Sequence, residues 1–456
     1  MLPTNKADFP KMLQGIRTLV SRKVPPESVI AAIVNMLAEA RFPLLPKLSG
    51  GSKALYKKAS VSSFADWLSA MDLKDAGFWL SSAYAHLVKA DKRRKRAMFF
   101  TPPILGDRIL DNMESAGVNW AEVKMIDLAC GGAAFLAPAA RRMADALSRR
   151  GVDAKGVMDH IQTHLVGIEI EPFLAKLSQF FVGMTLYSWV ETARRPPAIA
   201  VVIADAVKYA SSMTGKFDAV ICNPPYRKLT SQEVAELPAN LRELCYSQPN
   251  LYAMFMGLSV QLLNDRGVAG LLTPMSFLSG KSFLRLRTHL AAKRRVAQID
   301  IVEEKLGVFL GVEQEIAISI YVPKAVDKLK TNVFVGTASV KWERAGTVTL
   351  DASGGPWILP RNNQDAALLA MANGRTIADY GYSARVGDVV LHRDPRRRFP
   401  SLKAARLAKA VKPVPMLRAS EIRLSGELEF RSFGLFSGSC YEATDRGHRS
   451  GSTQQS

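Results

Sequence analysis

Two hydrophobic rhythms divide the chain. Over residues 1–97 apolar side chains recur at helical spacing, as in Val29-Ile30-Ala31-Ala32-Ile33-Val34-Asn35-Met36-Leu37 and again from Phe64 to Leu87, which predicts packed helices. Pro25-Pro26-Glu27-Ser28 suits a helix start, because proline and an acid are favoured in a first turn. Gly50-Gly51 breaks the region into several short helices. From about Lys124 short apolar runs alternate with longer amphipathic stretches. The runs are Val123–Ile126, Leu165–Ile168, Ile199–Ile203, Phe217–Ile221, Val268–Leu272, Val296–Val302 and Ile316–Val322. Buried strands separated by helices predict an α/β fold around a mostly parallel sheet, spanning residues 98–325. Residues 326–355 read as a linker with some strand, 356–436 as a smaller Arg-rich module, and 437–456, rich in Gly, Ser, Thr and Gln, as a disordered tail.

Composition narrows the partner. The 456 residues carry 61 Lys+Arg against 41 Asp+Glu, net +20, which favours a polyanion: nucleic acid or an acidic membrane surface. No stretch reaches the ~18 apolar residues of a membrane span, and Met1–Lys11 has no apolar signal core. Four cysteines without a CxxC pair exclude a zinc ribbon and a disulfide framework, so no metal is assigned and a reduced, cytoplasmic setting is expected. The charge is uneven: net +10 over residues 1–100, +4 over 101–350 and +6 over 351–456. Three basic runs, Lys92-Arg93-Arg94-Lys95-Arg96, Lys293-Arg294-Arg295 and Arg396-Arg397-Arg398, are either solvated faces or phosphate contacts. Their number in so basic a chain favours the latter.

The strand ends carry the chemistry. The first strand runs into Asp127-Leu128-Ala129-Cys130-Gly131-Gly132-Ala133-Ala134-Phe135. An acid, then small residues, then a helix is a nucleotide-site geometry, because small side chains let the backbone approach a ligand. The second strand ends at Glu169, where a ribose can be held through its hydroxyls, and the third at Asp205, which can accept from an exocyclic amine. Each acid alone could be a helix N-cap; three in succession on the carboxyl edge of one sheet point to a site. The fourth strand runs into Asn223-Pro224-Pro225-Tyr226. Two prolines remove amide donors and leave carbonyls free. The Asn oxygen is a further acceptor and the Tyr ring a flat surface. That set suits an amino group on a planar base.

These residues resemble the amino-group DNA methyltransferases with the NPPY motif, in the gamma order of motifs, and the type II restriction–modification adenine methyltransferases (PstI-like) among them. Phe99-Phe100-Thr101-Pro102-Pro103 reads like the family's F-x-T-P segment and Asp127–Phe135 like its D-P-A-C-G-S-G-A-F loop, with the second loop glycine falling at Ala133. Asn250-Leu251-Tyr252-Ala253-Met254-Phe255 resembles the N-L-Y-x-x-F helix, and Arg266-Gly267-Val268 to Leu272-Thr273-Pro274 the next strand. The match covers roughly residues 95–325. Thr376–Tyr382 and Val386–Arg393 resemble the start of a target-recognition region, with Leu391 and His392 in place of Trp-Asn; the likeness fades near Phe436.

The resemblance implies a Rossmann-like S-adenosylmethionine-dependent methyltransferase sheet with an N-terminal helical region and a C-terminal DNA-recognition module. It implies transfer of a methyl group to the N6 amino group of an adenine rotated out of double-stranded DNA, and brings in a cognate restriction endonuclease as a partner. Asn223, Pro224, Pro225 and Tyr226 take the catalytic roles: acceptors from Asn223 and the Pro224 carbonyl, stacking from Tyr226. Thr101, Asp127, Ala129, Gly131, Glu169 and Asp205 take the S-adenosylmethionine site. Cys130 and Cys222 read as small buried residues. NPPY also occurs in RNA and protein-glutamine methyltransferases, against which the Phe99–Pro103 segment and the recognition-like module argue. A non-catalytic DNA-binding subunit is a further alternative. A nuclease at Glu303-Glu304-Lys305 lacks a Pro-Asp upstream.

Overall fold

The apolar runs of the middle region are strands because helices cover both of their faces; Ile316–Val322, for example, is buried at every position. The computed structural model describes residues 7–372, apart from 97, 197, 248, 304–314, 325–329 and 337–340. Beyond 372 it describes 379, 381, 398–399, 402–407, 413–415 and 440–442. Among these, one sheet holds β1 (Met125–Asp127), β2 (Leu165–Glu169), β3 (Ala200–Ile203), β4 (Phe217–Cys222), β5 (Leu263–Pro274), β6 (Arg295–Val302), β7 (Ile316–Val322), β8 (Lys330–Gly336) and β9 (Trp342–Thr349). Their order is β3-β2-β1-β4-β5-β7-β6-β8-β9. The first five pair in parallel, while β7 is antiparallel to both β5 and β6. The chain steps outward from β1 to β3 and then returns to lay β4 on the other side of β1. The loops leaving β1 and β4 therefore diverge at the carboxyl edge, the place where such sheets open a crevice.

Alternation along the strands feeds two cores. Met125, Ala219 and Ile221 join one apolar cluster with the helices Leu136–Arg149 and Pro172–Thr185. Ile126, Val220 and Cys222 join another with the helices Leu251–Leu262 and Leu284–Lys293. The N-terminal helices are not a separate body. Ile16, Ile30, Phe64, Trp79 and Tyr84 belong to the first of these clusters, and a Cβ at Gly77 would stand 3.6 Å from the Phe181 ring. Residues 1–97 thus form a helical layer over one face of the sheet.

Four expectations change. The 326–355 linker contains β8, parallel to β6, and β9, antiparallel to β8. Thr331, Val333 and Val335 alternate into the interior, so a short period-2 pattern there is a strand pair. The start of the C-terminal module moves: Trp357 is buried and its indole donates to Asp351 O at 2.9 Å, and the helix Asn363–Ala372 belongs to the same compact unit, which ends at Asn373. The second unit, Gly374–Ser456, contains a small antiparallel sheet of Arg398–Phe399, Cys440–Glu442 and Pro413–Pro415. The expected disordered tail therefore includes a strand at 440–442, paired with Arg398–Phe399 and Pro413–Pro415; 443–456, like Val386–Arg393, lie outside the described residues. Finally, two basic runs are partly structural. Arg294 is buried and donates to the carbonyls of Leu263, Asn264 and Asp265 at 3.0, 2.8 and 3.3 Å. Lys92 turns inward to Glu171 at 2.9 Å. A run of like charges hides which members meet backbone carbonyls or a distant acid. Among the described residues no helix is long and apolar enough to cross a membrane.

Candidate active site

A cleft opens at the carboxyl edge between β1 and β4. Thr101, Ala129, Gly131, Glu169, Asp205, Asn223 and Pro225 all line it, although up to 124 residues separate them in sequence. Phe100, Ile170, Leu251 and Phe255 supply apolar lining, and Arg96 and Arg227 supply cations. Phe100 lies inside the quoted F-x-T-P segment, but Ile170 carries no signal beyond its place next to Glu169.

The three acids sit in different environments. Asp127, at the end of β1, is wholly buried. Its Oδ1 accepts from Ala129 N at 3.1 Å while Oδ2 has no partner. Burial pushes its carboxyl up to about 8, against the pull of the Ala129 N–H and with help from the nearby Glu169 charge. Glu169 accepts from Gly131 N at 2.9 Å and from Glu171 N at 2.8 Å, so it ties the glycine loop to its own strand end. Burial raises its carboxyl too, opposed by those two amides. Asp205 is both things the sequence allowed. Its Oδ1 caps the helix Ala206–Ala210 through Val207 N at 3.0 Å and Lys208 N at 3.4 Å, and the residue still lines the cleft.

The loop after β1 is shaped by close approaches. Gly131 has φ +50°, and a Cβ there would stand 3.3 Å from the Phe100 ring. Gly132 meets the helix Leu73–Leu87: a Cβ would lie 1.9 Å from Ser81 Oγ. Ala133 adopts φ +66°, which an L-residue takes at a cost of roughly 1–2 kcal/mol. It borders a second cavity on the reverse of the loop, with Phe78, Ile104 and Ala137, and does not line the cleft. Ala133, which stands where the resemblance expects a glycine, is buried and is not among the residues lining the cleft. Cys130 and Cys222 are buried, and burial raises both thiols well above their ordinary value, which leaves neither as a thiolate nucleophile.

The fourth strand delivers a neutral constellation. Asn223 is half-buried; its Nδ2 donates to Thr101 Oγ1 at 2.9 Å, and its Oδ1 accepts from the Tyr226 hydroxyl at 2.6 Å. The same hydroxyl lies 3.0 Å from Leu272 O on β5. Pro224 is buried. The Tyr226 ring packs edge-on against Tyr252, centroids 6.2 Å apart, and Tyr252 stacks on Phe283 at 5.3 Å. Residues 227–251 return beside the motif: Leu229 N donates to Pro249 O at 3.0 Å and Leu251 N to Arg227 O at 2.8 Å. Arg227 holds Glu233 at 2.7 Å, and that pairing keeps the Glu233 carboxyl down at about 2.

The residues also fit the nucleoside sulfonium ligand that the sequence implied. A loop whose backbone is bare at Gly131 and the acids Glu169 and Asp205 on adjacent strand ends form a cradle of acceptors and exposed peptide, while Asp127, wholly buried and outside the cleft lining, holds the loop through Ala129 N. Sequence reasoning missed the support behind it. Glu171, buried beside Glu169, accepts from Lys92 Nζ at 2.9 Å and from the Tyr84 hydroxyl at 3.2 Å, and Tyr84 also meets Glu27 at 2.9 Å.

Parts of the chain are similar to known proteins. Residues 164–309 match the family model of the Eco57I restriction-modification methylase. The chain is 26% identical over 226 residues to the type II methyltransferase M.BstVI of Geobacillus stearothermophilus, covering 47% of this chain and 39% of that protein. It is 32% identical over 90 residues to the type II methyltransferase M.BsuBI of Bacillus subtilis, covering 20% of this chain and 18% of that protein. The chain thus spans well under half of either relative. Among solved structures, an ATP-dependent type ISP restriction-modification enzyme, LlaBIII bound to DNA, shares the fold with a TM-score of 0.50 at 14% identity, over 74% of this chain and 29% of that one. The family resemblance read from the motifs is the one these matches return.

Proposed function

We propose that the chain is the modification part of a restriction–modification system: a site-specific, S-adenosylmethionine-dependent methyltransferase acting on the N6 amino group of adenine in double-stranded DNA. The observation that carries this reading is the clamp at Asn223. A neutral carboxamide, held at both ends by hydroxyls, stands on the same sheet edge as three strand-terminal acids.

Glu169 would hold the cofactor's ribose hydroxyls, Asp205 its adenine amine, and Ala129 to Gly131 the approach along the loop. When bound, S-adenosylmethionine supplies an electrophilic methyl group on a sulfonium. The remaining work falls to the chain's own side chains. An adenine turned out of the duplex, at a cost of roughly a few kcal/mol, meets the face of Tyr226. Its amine donates one hydrogen to the remaining acceptor capacity of Asn223 Oδ1 and the other to the Pro224 carbonyl. Two acceptors on one amine draw its nitrogen out of conjugation and leave the lone pair free to attack in line. The N–C bond would form as the sulfonium's S–C bond breaks to leave a neutral thioether, and the nitrogen's surplus proton would pass to water, so positioning and fixed dipoles rather than a titrating side chain carry the step. The +20 charge and the unit beyond residue 373 are assigned to the duplex, the latter to base readout.

Incubating a random-sequence duplex library with labelled S-adenosylmethionine, then mapping modified bases, tests the reading. N6-methyladenine in one sequence context is expected. Label in RNA or in a protein glutamine, or none in any substrate while the cofactor binds, overturns it. A cognate endonuclease is expected to cut the same, unmodified sequence.

A further inference from the structure

Resting on that reading, we infer that Thr101 is a positioning residue for Asn223: its hydroxyl fixes which end of the catalytic carboxamide faces the target amine.

A carboxamide is nearly symmetric in shape, and its two ends are distinguished by hydrogen bonds. Here Thr101 Oγ1 takes an amide hydrogen at 2.9 Å and Tyr226 donates to the oxygen at 2.6 Å. A half-turn of the amide would place a donor where the base also brings one. Thr101 is itself 4% exposed, so water does not replace its hydroxyl readily. Its backbone is set by Pro102 and Pro103, which open the helix Pro103–Ser115. That helix is anchored far from the cleft. Arg108 and Asn112 both donate to the buried Asp300 of β6 at 2.7 Å, and Arg108 lies 4.7 Å over the Trp342 ring of β9. The helix that follows Thr101 is thereby tied to β6 and β9. The same residue borders the cleft assigned to the cofactor, so its effect on transfer and its effect on cofactor binding have to be read apart.

Thr101→Val keeps the shape and removes the hydroxyl; Thr101→Ser keeps the hydroxyl. For Thr101→Val, kcat is expected to fall about tenfold to a hundredfold, with the S-adenosylmethionine Kd within about threefold of wild type. Thr101→Ser is expected to recover most of the lost kcat. Unchanged kcat in Thr101→Val, a loss carried entirely by the cofactor Kd, or no rescue by Ser overturns the inference. A second readout is independent of catalysis. The Asn223 side-chain amide in 15N NMR spectra should show one slowly exchanging proton in wild type and lose it in Thr101→Val. If wild type transfers no methyl group, the functional reading fails, and the amide spectrum still decides for or against the Thr101 contact.

Discussion

On one side of the cleft three parallel strands end in ionisable groups, Glu169 and Asp205 lining it and Asp127 wholly buried; on the other Thr101 and Asn223 line it, with the Tyr226 hydroxyl bonded to Asn223. Both sides bury polar atoms, and the means differ. The acidic side is held by backbone amides: Ala129 N on Asp127, Gly131 N and Glu171 N on Glu169, Val207 N on Asp205. Its charge state is set by burial, which lifts Asp127 to about 8 and raises Glu169. The neutral side is held by side chains from two separate segments, Thr101 and 223–226, bonding one another. Burial drives the Tyr226 phenol still further from ionising, so this side keeps one state across the working range of pH. The acids are thus suited to gripping a ligand, and the neutral trio to presenting fixed dipoles to a reacting amine.

The largest effect that separates the two sides is expected at Asn223. Asn223→Ala should lower single-turnover transfer by about 10²–10³-fold while calorimetry finds cofactor affinity nearly unchanged. Equal losses in both would merge the two sides into one. Next, Glu169→Ala should raise the S-adenosylmethionine Kd about ten- to a hundredfold, with transfer at saturating cofactor largely kept. Glu169→Gln should lie between, because one oxygen still accepts from a loop amide.

The third prediction concerns pH. Asp127 holds its proton up to about 8 in the folded chain, against an ordinary 3.8. Between those values the folded state binds more protons than the unfolded one. Its contribution to stability is therefore present below about pH 4 and lost as pH rises through about 8, with a slope of at most about 1.4 kcal/mol per pH unit. Urea midpoints of Asp127→Asn should fall less steeply than wild type from pH 5 to 8; parallel slopes would place the titration elsewhere. The smallest effect belongs to Ala133→Gly. Relief of a left-handed alanine, offset by glycine's extra freedom when unfolded, should stabilise by about 1 kcal/mol or less. A destabilised variant would show that the Ala133 methyl fills the reverse cavity to greater benefit.

Much of the acidic side was legible because strand ends are local: an apolar run followed by Asp127, Glu169 or Asp205 locates each without knowledge of the rest. The motif at 223–226 was legible for the same reason. Its hydrogen bonds were not, since Thr101 and Leu272 reach it from segments 122 and 46 positions away. Distance in sequence also hid β8. Its parallel pairing with β6 leaves only a short alternation of Thr331, Val333 and Val335 to read. Lys92 and Arg294 look like their neighbours in a basic run; only the fold sets one on a buried acid and the other on three carbonyls. The left-handed turn of Ala133 has no residue signature, because alanine is not a residue that announces it.

The tether from Tyr84 and Lys92 to Glu171 bears on how this chain can be cut and recombined. Residues 1–97 read in sequence as a basic helical region of their own. Yet Glu171 is 6% exposed, adjoins Glu169, and meets its cation and its phenol from that segment. Gly132 likewise has no room for a Cβ, which would stand 1.9 Å from Ser81 Oγ. A fragment starting at residue 98 would strip a buried carboxylate of its partners and bare the Phe173 and Phe181 side of the fold. An exchange past Asn373, where the first compact unit ends, leaves these contacts in place; residues 1–97 travel with the sheet.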